Sequence, residues 1–378
     1  MNYFLIAGEA SGDLHGSRLI AALRRHDAAA SFTFLGGDLM ARAAGTAPLR
    51  HYRDMAYMGI VDVAAHLPTI LRIMADTRQA IAAAAPDAVV LIDYPSFNLK
   101  IARYAHRLGI PVFYYIAPKV WAWKQWRVKQ LRRYVEHIYS ILPFETEFFS
   151  RHGCGVTYTG NPSVAEIDEA AAGADSGTLS RALGLDPSRP IVALLPGSRR
   201  SEIRDNLPVM LQAARAIDGC NIVLSVAPAI EPSFYREVTG GEELPATADT
   251  YALLRAARVA LVTSGTATLE TALIGTPQVA CYRMNGSRLL AWLRRRIIKV
   301  PYVTLPNLIN GAATIPELLL HECTAEAIER NVRALLPDGP QRQAMLDGYA
   351  AMRHRLGTAD SAATTAAAIT SRLMDTKD

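Results

Sequence analysis

The stretch Arg258-Val259-Ala260-Leu261-Val262-Thr263-Ser264-Gly265-Thr266-Ala267-Thr268-Leu269-Glu270-Thr271-Ala272-Leu273-Ile274-Gly275-Thr276 decides the fold class of this chain. Residues 259–262 are a short apolar run rich in β-branched side chains and predict a strand. Thr263, Ser264, Gly265 and Thr266 then supply small hydroxyls and a glycine. From Ala267 the pattern turns helical, with Leu269, Ala272 and Leu273 at i, i+3, i+4 spacing, and it stops at Gly275 before Pro277. Such a loop leaves backbone N–H groups unpaired at the positive end of a helix, which suits a diphosphate. An ordinary strand–helix unit with a Ser or Thr cap has the same look, and Glu270 in the first turn also complements the helix dipole.

The same alternation runs outward in both directions. Residues 3–7, 32–35, 87–92, 111–116 and 137–142 read as short apolar strands, with helical patterns near 14–25, 67–84, 99–108 and 144–151. A stretch rich in Ala, Gly, Ser and Asp at 170–188 predicts a linker, after which strands at 191–195 and 221–226 and a helix at 202–217 resume the pattern. The expectation is an α/β protein of two Rossmann-like domains, 1–170 and 185–354, with parallel sheets covered on both faces and helices at 355–378 packing back on the first. Gly8, Gly12 and Gly16 are spaced by four, which does not fit the dinucleotide fingerprint.

On a parallel sheet, chemistry belongs at the carboxyl ends of strands. Asp93 directly follows the 89–92 apolar run, and Glu9 and Ser11 follow the first strand. A carboxylate there can take the proton of an attacking hydroxyl, or Asp93 can simply cap the next helix near Ser96. In the second half, Gly197, Ser198 and Arg199 form one strand–helix loop and Ser264 to Thr268 another. One offers backbone donors with a cation, the other donors alone, and together they can neutralise a diphosphate. No Asp-x-Asp pair occurs, so no metal and no cofactor are expected.

The chain has 378 residues, half of them hydrophobic, and a formal net charge of +5. No apolar run is long enough to span a bilayer. The N-terminus has no basic segment of the signal-peptide kind and reads as a first strand. Cys154, Cys220, Cys281 and Cys323 are dispersed, which predicts free thiols in a cytoplasmic protein. The basic charge is concentrated at Lys119, Lys124, Arg127, Lys129, Arg132 and Arg133, and at Arg288, Arg294, Arg295, Arg296 and Lys299, neither cluster containing a carboxylate. All the tryptophans fall in these same stretches: Trp121, Trp123 and Trp126 in one and Trp292 in the other. Cations mixed with indoles suit an anionic membrane surface. A basic groove with stacking aromatics also suits nucleic acid, and a solvated basic face over buried tryptophans is the plainer reading.

Taken in order, eight segments resemble the lipid-A-disaccharide synthase family of GT-B type glycosyltransferases. They are 8–13 (Gly-Glu-Ala-Ser-Gly-Asp), 58–61 (Met-Gly-Ile-Val), 92–98 (Ile-Asp-Tyr-Pro-Ser-Phe-Asn), 118–123 (Pro-Lys-Val-Trp-Ala-Trp), 142–145 (Leu-Pro-Phe-Glu), 195–199 (Leu-Pro-Gly-Ser-Arg), the opening stretch and 305–308 (Leu-Pro-Asn-Leu). The resemblance implies an active site in an interdomain cleft and an inverting transfer. The 2,3-diacylglucosamine of a UDP-sugar passes to the 6-hydroxyl of 2,3-diacylglucosamine 1-phosphate, forming a β-1,6 bond and releasing UDP. It implies Asp93 as general base with Glu9 and Ser11 in the active site. UDP-sugar binding falls to Gly197, Ser198, Arg199, Ser264, Gly265, Thr266, Ala267, Thr268, Glu270 and Asn307. It further implies a peripheral position on the inner face of the bacterial inner membrane, through Trp121, Trp123, Trp126, Trp292, Arg294, Arg295 and Arg296, rather than nucleic acid as partner. A homodimer also follows for some members. Asn161, Leu320 and Asp62 depart from residues common in the family.

Overall fold

The computed structural model describes residues 1–55, 66–122, 124–171, 176–283 and 301–375. Trp123, Trp292, Arg294, Arg295 and Arg296 lie outside them, as do the 58–61 segment and Asp62. The chain divides into one unit of Met1–Pro162 with Thr358–Asp378 and another of Ser163–Gly357.

Among the described residues the first unit holds a seven-stranded sheet in the order β3-β2-β1-β4-β5-β6-β7. The strands are β1 (Asn2–Ala7), β2 (Ser31–Gly36), β3 (Arg50–His51), β4 (Ala88–Ile92), β5 (Val112–Tyr115), β6 (His137–Ser140) and β7 (Val156–Tyr158). Every pairing is parallel. Successive side chains of a strand point to opposite faces, and here both faces are covered, so β4 is buried along its whole length. Phe4, Ile6, Val89 and Leu91 meet Leu99, Ile101 and Ala102 of the helix Pro95–Arg107 on one face. Tyr3, Leu5, Val90 and Ile92 meet Leu19, Ile20 and Leu23 of the helix Ala10–His26 on the other. The C-terminal helix Ser361–Asp375 joins that second layer through Ala366, Ile369 and Leu373.

In the second unit the described strands are β8 (Ile191–Leu195), β9 (Asn221–Ser225), β10 (Ala246–Thr247), β11 (Ala257–Thr263), β12 (Gln278–Tyr282) and β13 (Glu317–Leu319), in the order β10-β9-β8-β11-β12-β13. These too are all parallel. The 170–188 stretch is more structured than a linker. Its residues Ser176–Ala182 form a helix, and Leu179, Leu183 and Leu185 pack against a core containing Leu253, Leu254 and Ala260.

Two helix starts differ from the sequence expectation in a way that shapes the site. The first helix begins at Ala10, with Glu9 as N-cap, so Ser11 and Asp13 lie in its first turn rather than in a loop. Gly12 has low helix propensity, but burial against Ala7 overrides it. The helix after β4 begins at Pro95, not near residue 99. Pro is well suited to N1, where the missing N–H has no helical partner.

Candidate active site

In the first unit the chain winds from β1 outward through β2 and β3, then returns to place β4 on the other side of β1. The β1/β4 boundary is therefore the topological switch point, where loops depart to opposite faces and leave a crevice at the carboxyl ends. Ala7 is in register with Ile92, so Gly8-Glu9 and Asp93-Tyr94 emerge side by side. A Cβ on Gly8 would lie 2.3 Å from Tyr94 Cγ, which means the tyrosine ring rests directly on the first loop. The Tyr94 hydroxyl donates to the Met55 carbonyl at 2.9 Å. Ser11 is exposed at this end, and Glu9 is half-buried.

Asp93 and Tyr94 have φ of 44° and 47°, consecutive left-handed residues without a glycine. Such residues are uncommon and cost free energy unless their surroundings hold them. Here the Asp93 carbonyl accepts hydrogen bonds from Asn98 Nδ2 at 2.7 Å and from the Tyr114 hydroxyl at 2.6 Å. Tyr94 occupies the N-cap, so the capping role considered for Asp93 is not the one it has. The turn instead holds the Asp93 carboxyl at the strand end. Burial pushes its pKa above the ordinary aspartate value, opposed by the Lys119 charge and by the Tyr94 N–H. A buried carboxylate whose proton affinity is raised is a better base than a solvated one.

Asp13 had no assigned role in the sequence reading. Its buried carboxylate accepts from the Gly37, Leu39 and Met40 N–H groups at 2.7, 3.0 and 3.0 Å, tying the first helix to the start of the helix Asp38–Ala44. The signal available was only its position after the loop.

The second unit repeats the arrangement. Its switch point is β8/β11, with Leu195 in register with Val262, so the loop carrying Gly197, Ser198 and Arg199 lies beside the one carrying Ser264, Gly265 and Thr266. Gly197 has φ of 114°, and a Cβ there would lie 2.6 Å from Glu202 Oε2, so the turn requires glycine. Ser198 and Arg199 are exposed at the start of the helix Arg200–Arg215. Glu202 takes the Ser198 N–H at 3.1 Å and the Arg199 guanidinium at 3.4 Å. Gly265 is the exposed N-cap of the helix Thr266–Ile274, with open space where a Cβ would project. Ala267 is half-buried behind it, while Thr268 is fully buried and its hydroxyl donates to the Gly265 carbonyl at 2.8 Å. Thr268 therefore shapes the loop, leaving Ser264 and Thr266 as the open hydroxyls. Glu270 is half-buried, and burial raises its pKa, with the Glu166 charge adding to the rise and a Tyr251 hydrogen bond opposing it.

Two assignments are corrected by the structure. Asn307 is 1% exposed and its amide is saturated. Nδ2 donates to the Ile315 carbonyl and to Glu317 Oε1 at 3.0 and 2.9 Å, and Oδ1 accepts from the Thr314 and Ile315 N–H groups at 2.8 Å each. Two donors and two lone pairs are all an asparagine side chain has, so none is left for a UDP-sugar. Glu317 is the hub of this network, accepting also from the Val303 N–H and from the N–H and hydroxyl of Thr304. Trp121, expected at a membrane surface, is 6% exposed and turned inward. Its Nε1 donates to Glu145 Oε1 at 2.9 Å and its ring meets Phe144 edge-on. An indole with a satisfied N–H is at home in a core. Trp126, by contrast, is 59% exposed with the Arg127 guanidinium 5.6 Å from its ring centre.

Burial pushes the Glu145 pKa up to about 7, against hydrogen bonds from Ser140 and Trp121 and the Lys119 charge. Because the folded value lies above the ordinary 4.5, its contribution to stability is complete below that pH and is lost as pH rises through about 7. Glu145→Gln keeps an acceptor for Trp121 without the charge. Urea unfolding of both proteins at pH 5 and pH 8 is expected to show the wild type losing on the order of a few kcal/mol relative to the variant. Equal pH dependence in the two would refute the burial account.

Each unit is a parallel α/β sheet with a crevice at its own switch point, which defines the two-Rossmann, GT-B type class. A UDP-GlcNAc 2-epimerase from Neisseria meningitidis, in a structure bound to UDP-GlcNAc, shares this fold with a TM-score of 0.68 at 10% identity, over 99% of this chain and 100% of that one. The calicheamicin glycosyltransferase CalG4 shares it with a TM-score of 0.59 at 16% identity, over 100% and 99%. Sequence narrows the class. A model of the lipid-A-disaccharide synthetase family matches residues 3–369. The lipid-A-disaccharide synthase of Trichlorobacter lovleyi is 38% identical over 360 residues, 93% of this chain and 92% of its own. That of Myxococcus xanthus is 39% identical over 369 residues, 95% and 94% respectively. This chain belongs to the lipid-A-disaccharide synthase family.

Proposed function

We propose that this chain is the hexosyltransferase that forms the lipid A disaccharide. The observation that carries the proposal is the family match from residue 3 to 369. In the finer reading, the 2,3-diacylglucosamine of a UDP-sugar passes to the 6-hydroxyl of 2,3-diacylglucosamine 1-phosphate. The crevice beside Asp93 holds the acceptor. As the 6-oxygen attacks the anomeric carbon, its proton goes to the Asp93 carboxylate. The bond from that carbon to the diphosphate breaks on the opposite face, its electron pair leaves with UDP, and an α-linked donor yields a β-1,6 product. Glu9 and Ser11 line the same crevice. Arg199 and the loops 197–199 and 264–266 at the two helix starts receive the diphosphate, and Glu270 accepts from the ribose hydroxyls. Arg199 and helix N-termini favour the anionic leaving group without a metal ion.

The test is UDP release with the diacylated UDP-glucosamine donor, with and without the acceptor, in EDTA. Release that depends on acceptor, with a disaccharide product, supports transfer. Donor turnover indifferent to acceptor would instead favour epimerase-like chemistry.

Among the described residues no helix is long and apolar enough to cross a membrane. Acylated substrates nonetheless require a protein that reaches the inner-membrane surface, and exposed Trp126 beside Arg127 supports such a contact. Trp126→Ala is expected to reduce cosedimentation with vesicles containing anionic phospholipid severalfold. Unchanged cosedimentation would remove Trp126 from that surface. A homodimer remains part of this reading and is testable by sedimentation equilibrium.

A further inference from the structure

The loop after β5 reaches the crevice beside Asp93, because β5 is the neighbour of β4 and Tyr115 is in register with Ile92. Val120 and Trp121 anchor it by turning inward, at 2% and 6% exposure. Lys119, immediately before them, points out. It is exposed, and its ammonium has no hydrogen-bond or ion-pair partner among the described residues. Its charge acts on Asp93 at the strand end and, more deeply, on buried Glu145. Further along the loop, half-buried Arg127 donates from Nη2 to the Ser96 hydroxyl at 3.2 Å, bridging to the first turn of the helix that follows Asp93.

These cations stand in the wrong place to serve Asp93 itself. A cation beside a general base lowers its proton affinity, and the Lys119 charge does act on Asp93 in that direction. A lysine without a side-chain partner among the described residues, and an arginine that holds the Ser96 hydroxyl and lies against the Trp126 ring, both near a base that must accept a proton, are explained by an anion that the substrate brings. Once that anion is bound, the Lys119 field on Asp93 is offset and its basicity is restored. Arginine and lysine with a helix first turn is a combination suited to a phosphate monoester.

We infer that Lys119 and Arg127, with the Ser96 hydroxyl, form the subsite for the phosphate monoester of the acceptor, one sugar ring away from the hydroxyl that faces Asp93. The inference rests on the transferase reading above and adds to it the residues that recognise the phosphate. Selectivity for the phosphorylated acceptor then resides in these side chains.

The test compares kcat/KM for 2,3-diacylglucosamine 1-phosphate and for the same sugar lacking the phosphate, in detergent micelles, for the wild type, Lys119→Ala, Lys119→Arg and Arg127→Ala. The wild type is expected to prefer the phosphorylated acceptor. Losing a charge-assisted contact should shrink that preference on the order of tenfold or more in each Ala variant, with partial recovery in Lys119→Arg. Arg127→Ala separates phosphate recognition from the effect of the Lys119 charge on Asp93, because that variant leaves Lys119 in place. An intact ratio in Lys119→Ala and Arg127→Ala overturns the subsite. An intact ratio accompanied by weaker cosedimentation with anionic vesicles assigns the same cations to a lipid headgroup and likewise overturns it. Absence of transfer by the wild type with either acceptor would count against the transferase reading instead.

Discussion

Asp93→Asn is expected to leave UDP affinity essentially unchanged while lowering turnover by about 10²–10⁴-fold, the range general-base catalysis contributes. The substitution is close to isosteric. The contacts that hold the left-handed turn use the Asp93 carbonyl, which accepts from Asn98 and Tyr114 and is unaffected by the change. The pH profile offers a second readout. The base works only when ionised, and burial raises its pKa, so kcat/KM should fall with decreasing pH at a higher pH than an ordinary aspartate would give.

The same shift fixes the sign of the stability effect. A carboxyl whose folded pKa is raised contributes stability that is complete below its unfolded pKa and is lost as pH rises through the folded value. At neutral pH the ionised Asp93 therefore weighs against the fold, and Asp93→Asn should unfold at a slightly higher temperature than the wild type. Lost turnover with gained stability is the pattern of a residue kept for chemistry. UDP titration calorimetry, single-turnover product formation and thermal unfolding at pH 5 and pH 8 test all three parts. Near-normal turnover would refute the base assignment.

Gly8→Ala is expected to damage the first crevice without touching any polar group. The new methyl would lie within 2.3 Å of Tyr94 Cγ, closer than packed atoms allow. The ring has little freedom to yield. Its hydroxyl is held by the Met55 carbonyl, its backbone is left-handed, and it caps the helix that follows. Overpacking of this kind costs about 1–3 kcal/mol. Displacement of Tyr94 also moves Asp93, the preceding residue, and misplacing a catalytic group by about 1 Å costs on the order of 10²-fold in rate. Pairing Gly8→Ala with Tyr94→Ala removes the overlap, so the double variant should be more stable than the two single effects summed would allow. Urea unfolding of the four proteins measures this coupling. Additive effects, or a Gly8→Ala protein as stable and active as the wild type, would show that the loop gives way freely.

Much of this architecture was legible in residue order. Apolar strands alternating with helical patterns implied parallel sheets, and the 67–84 periodicity returned the helix Leu67–Ala84 to the residue. The short strands β3, β7, β10 and β13 were missed, each two or three residues long and lying at the rim of a sheet. Rim strands are half-solvated and carry no continuous apolar run, so their pattern resembles loop. The stretch 170–188 misled for a different reason. Its abundant small residues read as linker, whereas three leucines supply the anchor for a helix.

What the sequence determined by itself is the set of strand–loop–helix units and the polar residues at their carboxyl ends, because both follow from local spacing. Asp93, Glu9, Ser11 and the 197–199 and 264–266 loops could be proposed on that ground. Only the tertiary structure decided which loops are neighbours, through strand order and register. β1 beside β4 and β8 beside β11 arise from pairings between residues far apart in the chain. It also decided which way side chains face. Trp121 and Trp126 belong to one basic, aromatic stretch, yet the first donates to a buried glutamate and the second faces solvent. Asn307 is consumed by the network it helps to hold, and Lys119, which the sequence left among the basic residues, is exposed on the loop that neighbours Asp93. Composition sets what a side chain can do, whereas burial and partners set what it is free to do, and both depend on contacts that no local window of sequence contains.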